Sequence, residues 1–144
     1  WDASKYAGFT PADAAAEPWI SVNPNHVEIN AAEEFDDPDS VYSFYKKLIA
    51  MRHNNATIAT GEWNLVAADS EQVYSFTRTS GDDTILVIVN LTDRTAQVPA
   101  EVAQLLEDGV GESQVLLSTY DAVHSVKSVA RGELARWEGV VIQL

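Results

Sequence analysis

The sequence predicts an α+β chain that is mainly β: an irregular N-terminal segment, one long helix, then an antiparallel β-sandwich. Three observations carry this reading. The hydrophobic period changes along the chain, from none over residues 1–37, to helical over 38–54, to two from residue 58 onward. Turn-forming residues punctuate the last part at short intervals, as they do between antiparallel strands. A chain of 144 residues with 46% apolar content, 7 glycines and 5 prolines is folded and about one domain long, neither disordered nor fibrous.

Residues 1–37 are rich in chain breakers, among them Gly8, Pro11, Pro18 and Pro24. Two aromatic-centred patches interrupt them, Ala7-Gly8-Phe9-Thr10 and Pro18-Trp19-Ile20-Ser21-Val22-Asn23-Pro24-Asn25. An irregular run of this length is uncommon inside a domain and is usually functional. Within it, Asn30-Ala31-Ala32-Glu33 reads as a capping box that opens a short helix. The long helix spans 38–54. Asp37 is its expected N-cap, Pro38 fits the first turn, and Asp39 suits the positive end of the dipole. Val41, Phe44, Tyr45, Leu48 and Ile49 form a wide aromatic stripe, Lys46, Lys47 and Arg52 follow toward the C-terminal end, and Asn54-Asn55 stops the helix. A stripe that broad packs against something large.

The strands follow. Gly61-Glu62-Trp63-Asn64-Leu65-Val66 is the first, and Val73-Tyr74-Ser75-Phe76-Thr77-Arg78 alternates as the second. Ser80-Gly81-Asp82-Asp83 is a hairpin turn into Thr84-Ile85-Leu86-Val87-Ile88-Val89-Asn90, whose continuous apolar run predicts burial on both faces. Gln97-Val98 is a short edge piece, and residues 100–107 are either a helical turn or irregular. Gln114-Val115-Leu116-Leu117-Ser118-Thr119, Leu134-Ala135-Arg136 and residues 138–144 complete the set. Six or more short strands joined by turns predict the sandwich.

Charge excludes several functions. With 9 Lys+Arg against 22 Asp+Glu the net charge is −13. Nucleic acid and anionic membrane surfaces both require a basic face, so neither is an expected partner. The acidity is spread along the chain and reads as a solvated surface. The absence of cysteine removes disulfides and thiolate chemistry. No apolar run approaches the ~20 residues of a membrane span. The opening Trp1-Asp2-Ala3-Ser4-Lys5 carries no secretory-signal pattern and reads as the continuation of a longer chain.

Candidate chemistry is sparse. Glu33, Glu34, Asp36, Asp37 and Asp39 bracket helix starts, where capping explains them, and Asp82 and Asp83 are turn residues. Asp2 differs because it follows Trp1: a carboxylate beside an aromatic ring suits a sugar, whose hydroxyls donate to the acid while its apolar face stacks on the ring. His26, His53 and His124 stand apart from one another with no metal-ligand spacing, so neither a metal nor a cofactor is expected. No serine has a nucleophile-elbow context, and Gly109-Val110-Gly111 is a lone pair of glycines in a loop. Asn55-Ala56-Thr57 and Asn90-Leu91-Thr92 match the glycosylation pattern by chance. The residues alone describe a chain with no self-contained catalytic set.

Two stretches carry a family resemblance. Trp1-Asp2-x-Ser4-Lys5-x-Ala7-Gly8-Phe9-Thr10, Pro18-Trp19-Ile20-x-Val22-Asn23-Pro24-Asn25 and Ile29-Asn30 together resemble a loop of the glycoside hydrolase family 13 α-glucosidases. Asp37-Pro38-Asp39-Ser40-Val41-Tyr42-Ser43-Phe44-Tyr45-Lys46-Lys47-Leu48-Ile49-Ala50-Met51-Arg52 is similar to the helix that follows it in the oligo-1,6-glucosidase branch. Downstream, the strands at Gly61, Val73 and Leu86, and the closing Trp137-Glu138-Gly139-Val140-Val141, resemble that family's C-terminal domain more loosely.

The resemblance implies that residues 1–57 end a catalytic (β/α)8 barrel, with the loop after its eighth strand and its eighth helix at 38–54, and that 58–144 form a C-terminal antiparallel β-sandwich domain. It implies a cytoplasmic, retaining α-glucosidase acting on short α-glucans such as isomalto-oligosaccharides. The attacking Asp, the acid/base Glu and the second Asp of that chemistry lie upstream on barrel strands, so this chain alone is expected to be inactive. Trp1, Asp2 and Phe9 are then the substrate-proximal residues, because loops at that barrel face rim the active site. The expected partners are the upstream barrel, a short α-glucan, and a second copy of the chain through the 38–54 helix. The rival reading is a free-standing carbohydrate-binding sandwich using Trp63, Tyr74, Phe76, Tyr120 or Trp137, whose strand positions suit a core better. A purely structural association module is the third.

Overall fold

The alternation that begins at Glu62 builds a meander. In a computed structural model, which describes residues 1–108 and 114–144, the chain divides into two compact units, Trp1–Ala50 and Met51–Leu144. Gly109-Val110-Gly111 lies outside the described residues.

In the first unit the N-cap half of the expected capping box forms. Asn30 accepts the Glu33 N–H through its side chain at 3.1 Å and opens helix α1, Ala31–Asp36. Helix α2 runs Val41–Asn54, three residues shorter at its start than the capping pattern places it. The Asp37 carboxylate is diverted into a turn, where it accepts the Asp39 N–H at 2.9 Å. Ser40 takes over the cap: its hydroxyl accepts the Ser43 N–H at 3.1 Å and donates back to the carbonyls of Glu34 and Asp37. Val41, Tyr45 and Ile49 of α2 are exposed, and Phe44 and Leu48 half-buried.

The second unit opens with α3, Ala56–Thr60, capped by Asn55, whose side chain accepts the Ile58 N–H. Strands β1 (Glu62–Val66), β2 (Val73–Ser80) and β3 (Asp83–Asn90) form an antiparallel meander, with Trp63 opposite Arg78 and Phe76 opposite Val87. The β2–β3 hairpin turns on Gly81, whose φ of 61° is the left-handed value that glycine supplies freely. The chain then leaves the sheet for β4 (Ala96–Gln97), α4 (Ala100–Asp108), β5 (Gln114–Ser118), α5 (Ala122–Ala130) and β6 (Glu133–Leu134), and returns as β7 (Gly139–Gln143). The five-stranded sheet has the order β1-β2-β3-β7-β5, and β7 pairs antiparallel with both β3 and β5. The layer facing it is the β4–β6 ribbon with helices α4 and α5. Residues 100–107 are thus helical, and the strand read at 134–136 pairs one residue earlier, as Glu133–Leu134.

The core is a single cluster of Val73, Leu86, Ile88, Ala96, Val102, Leu134, Val140 and Ile142. Each fully buried Leu or Ile side chain contributes about 1.5–3 kcal/mol. Strand β2 is built against the usual polarity. Val73, Ser75 and Thr77 face the core, while Tyr74 points out and Phe76 is half-buried. The buried Ser75 hydroxyl is satisfied by donating to the Val66 carbonyl at 2.8 Å. The inner face of β2 carries small residues, and its aromatic side is turned outward. Gly61 shows a second constraint of size: a Cβ there would lie 2.5 Å from the Thr57 carbonyl oxygen of α3 and 3.0 Å from the Thr79 carbonyl oxygen of β2, so no side chain fits between them.

Candidate functional site

Residues 1–9 fold into a small knot around Tyr6 and Ala7, both buried. Ala7 and Gly8 take left-handed φ values of 52° and 72°, which reverse the chain and bring Phe9 back to Trp1. The two rings sit with centroids 5.5 Å apart at 40°, both exposed, Trp1 at 74%. Asp2 follows Trp1 and reaches toward Gly8, where an added Cβ would lie 3.4 Å from its Oδ2. Its Oδ1 accepts the Ser4 N–H at 2.9 Å, and the Ser4 hydroxyl accepts the Gly8 N–H at 3.2 Å. The knot is fastened on two sides. The Trp1 carbonyl accepts the Ala32 N–H at the start of α1, and the His26 ring spans the carbonyls of Asn23 and Ser4, at 2.9 Å each. The structure therefore brings together the three residues singled out in the sequence: an aromatic pair with an anchored carboxylate next to it. Trp19, at 94% exposure, stands apart on the same segment.

A second polar cluster, which sequence reasoning missed, lies in the other unit. Glu138 is fully buried, with 0% exposure. One of its oxygens accepts from the Ser125 hydroxyl at 2.6 Å, the other from the Ala135 N–H at 2.7 Å, and Ser118 is 2.5 Å from Ser125. His124 Nε2 stands 3.8 Å from the carboxylate and 3.2 Å from the Ser128 hydroxyl. Serine, histidine and acid are adjacent, but the geometry is not that of a nucleophilic triad. A triad histidine uses one ring nitrogen for the acid and the other for the serine. Here the same nitrogen faces both, and Ser125 is itself tied to the acid, so the cluster is a structural lock.

The comparisons with known proteins fall on the same residues. The family profile of the α-amylase catalytic domain matches residues 1–61. The oligo-1,6-glucosidase of Parageobacillus thermoglucosidasius is 35% identical over 146 residues, covering 100% of this chain and 24% of that protein. The trehalose-6-phosphate hydrolase of Bacillus licheniformis superposes with a TM-score of 0.77 at 30% identity, over 99% of this chain and 24% of that one. The chain belongs to glycoside hydrolase family 13, the α-amylase family. The trehalulose synthase of Pseudomonas mesoacidophila MX-45 matches to the same extent, with a TM-score of 0.74 and 31% identity over 99% of this chain and 24% of that one. This α-amylase-family chain spans about a quarter of the length of the relatives it matches and corresponds to their C-terminal region.

In the family 13 chain the remaining sequence candidates have structural partners. Glu34 accepts the Tyr42 N–H at 3.0 Å, so it ties α1 to the start of α2. Asp83, read as a turn residue, is instead a hub that accepts from the Thr57 hydroxyl and the Gln143 amide. Both glycosylation-like asparagines are engaged: Asn55 caps α3, and Asn90 is buried under five hydrogen bonds. Among the described residues no group of three or more His, Cys, Asp or Glu is placed to hold a metal ion, and no helix is long and apolar enough to cross a membrane. The aromatics weighed for a binding sandwich differ from expectation, because Trp63, Tyr74, Tyr120 and Trp137 are exposed rather than in the core.

The knot makes one electrostatic prediction. The Ser4 hydroxyl, and after it the Ser4 backbone N–H, hold the Asp2 carboxyl below its ordinary value of 3.8. The folded state therefore favours the charged form. Its contribution is present above the unfolded value and is lost as pH falls through the lower folded one. Ser4→Ala should move the Asp2 titration upward, toward 3.8, in carboxyl-carbon NMR. A titration unchanged by the substitution would assign the shift to some other group.

Proposed function

We propose that this chain is the non-catalytic closing part of a retaining α-glucosidase that cleaves short α-glucans such as isomalto-oligosaccharides. Residues 1–57 would end its catalytic barrel, with Trp1, Asp2 and Phe9 near the substrate, and 58–144 would form its C-terminal domain. The observation that carries this reading is the 35% identity to an oligo-1,6-glucosidase over the whole chain, across only 24% of that protein. The structural partners of Glu34, Asp37, Asp83 and Glu138 accord with an inactive segment, because capping, turn and core bonds account for these four acids. The outward Trp63, Leu65 and Tyr74 support a covering role for the β domain against the barrel.

The test is turnover. The chain by itself should release no glucose from isomaltose or an aryl α-glucoside, while the longer protein that contains it should. Hydrolysis by the chain alone would overturn the reading. Sucrose incubated with the longer protein separates hydrolysis from isomerisation through its products. By itself the chain should associate through the exposed Val41, Tyr45 and Ile49 of α2. A strictly monomeric species across a dilution series in light scattering would remove that partner. A second reading, a carbohydrate-binding role for the β domain, is favoured by the exposure of Trp63, Tyr74, Tyr120 and Trp137.

A further inference from the structure

Left-handed backbone is rare for residues with large side chains. Among the described residues it occurs at Gly8, Gly81 and Gly132, at Ala7 and Ala67, and at one bulky residue, Trp137, with φ 54°. The turn that holds Trp137 in this conformation is pinned from several directions. The Trp137 N–H donates to the Thr92 carbonyl at 3.0 Å, and its own carbonyl accepts from the Thr119 hydroxyl at 3.3 Å. Two fully buried side chains grip the preceding Ala135: Asn90 donates to its carbonyl at 2.8 Å, and Glu138 accepts its N–H at 2.7 Å. The Tyr120 hydroxyl donates to the Arg136 carbonyl at 2.9 Å, and the Tyr120 ring stacks on His124 at 4.7 Å and 21°. For all this support more than half of the residue's surface faces solvent, at 57% exposure.

A fold that needed only the turn would place glycine there, as it does at Gly81 and Gly132. The strained position instead carries the largest side chain available and presents it to solvent, which points from the outlier to a use for the ring. We propose that Trp137, flanked by the Tyr120–His124 stack and the exposed Arg136, is a secondary binding surface for an α-glucan chain. The indole face takes the apolar face of a pyranose, and the guanidinium donates to its hydroxyls. The net charge of −13 argues against a polyanion here. The choice of an α-glucan rests on the proposed function above. The surface would hold substrate near the enzyme without taking part in its chemistry.

The test follows the indole N–H signals of the four tryptophans in the isotope-labelled 144-residue chain during titration with isomaltotriose, maltotriose and a β-linked glucan. The Trp137 signal, assigned by its loss in Trp137→Phe, should move saturably at millimolar α-glucan and stay still with the β-linked one. Trp137→Gly should raise the melting temperature, because glycine relieves the strain, and weaken binding tenfold or more. A Trp137 signal that does not respond in the folded chain overturns the proposal, as does a Gly variant that melts lower. The longer protein keeps the two readings separable. Isomaltose hydrolysis alongside a silent Trp137 sinks only the surface site. A responsive Trp137 without α-glucan cleavage supports the site and sinks only the proposed activity.

Discussion

Glu138→Ala should destabilise the second unit by about 3–5 kcal/mol, measured by urea denaturation. The carboxylate is fully buried, and both oxygens are in use, by the Ser125 hydroxyl and the Ala135 N–H. Truncation leaves two buried donors unsatisfied, at about 1–3 kcal/mol each, and opens a cavity where the side chain was. Glu138→Gln is the informative comparison. Its amide retains one acceptor oxygen and the volume, so the expected loss is smaller, about 1–2 kcal/mol. A Glu138→Ala variant within about 1 kcal/mol of the parent would mean that the surroundings relax or water replaces the carboxylate.

Asn90→Ala should cost about 3 kcal/mol by the same measurement. The Asn90 amide donates to the carbonyls of Arg94 and Ala135, and its oxygen accepts from both the N–H and the hydroxyl of Thr92. Asn90 itself is fully buried, so alanine leaves its partly buried partners, Ala135 and Thr92, without their bonds and opens a cavity beside them. Asn90→Asp is a sharper probe. At neutral pH it turns a charge toward carbonyl oxygens and should be at least as harmful as alanine. The gap should narrow in acid, where a protonated carboxyl again donates. Asn90 and Glu138 both hold Ala135, so the two alanine substitutions should combine to less than their sum. Strict additivity would show that the two side chains act on independent parts of the turn.

Local chemistry was readable in the sequence wherever a short motif decides the structure. The N-cap at Asn30, the hairpin at Gly81 and the long helix each depend on a few neighbouring residues, and each forms. Helix α5 escaped notice because valine and serine carry little helix propensity. Its one clear signal was Asp121, whose side chain accepts the His124 N–H at 2.8 Å. Alternation in β2 revealed two faces but not which was inside: aromatics normally mark the core, and here Ser75 and Thr77 take it. Trp1, Asp2 and Phe9 could be named as candidates, yet the pairing of the two rings depends on the left-handed Ala7-Gly8 reversal. The burial of Glu138 had no signal at all, because a glutamate at a strand start is exposed by default.

The position of β3 in the sheet has a kinetic consequence. On one side it meets β2 across a two-residue hairpin; on the other it meets β7, with Leu86 opposite Ile142, only after five intervening elements have been laid down. Closing the longer loop costs more entropy before any contact repays it, so the meander should nucleate and β7 should dock late. Substitutions in the β2–β3 hairpin should then slow refolding, while those at Val140 or Ile142 should act mainly by hastening unfolding, a division that stopped-flow kinetics would read directly. Late docking of β7 would leave β5 without its sheet neighbour until that moment, since β7 is the strand that joins β5 to β3.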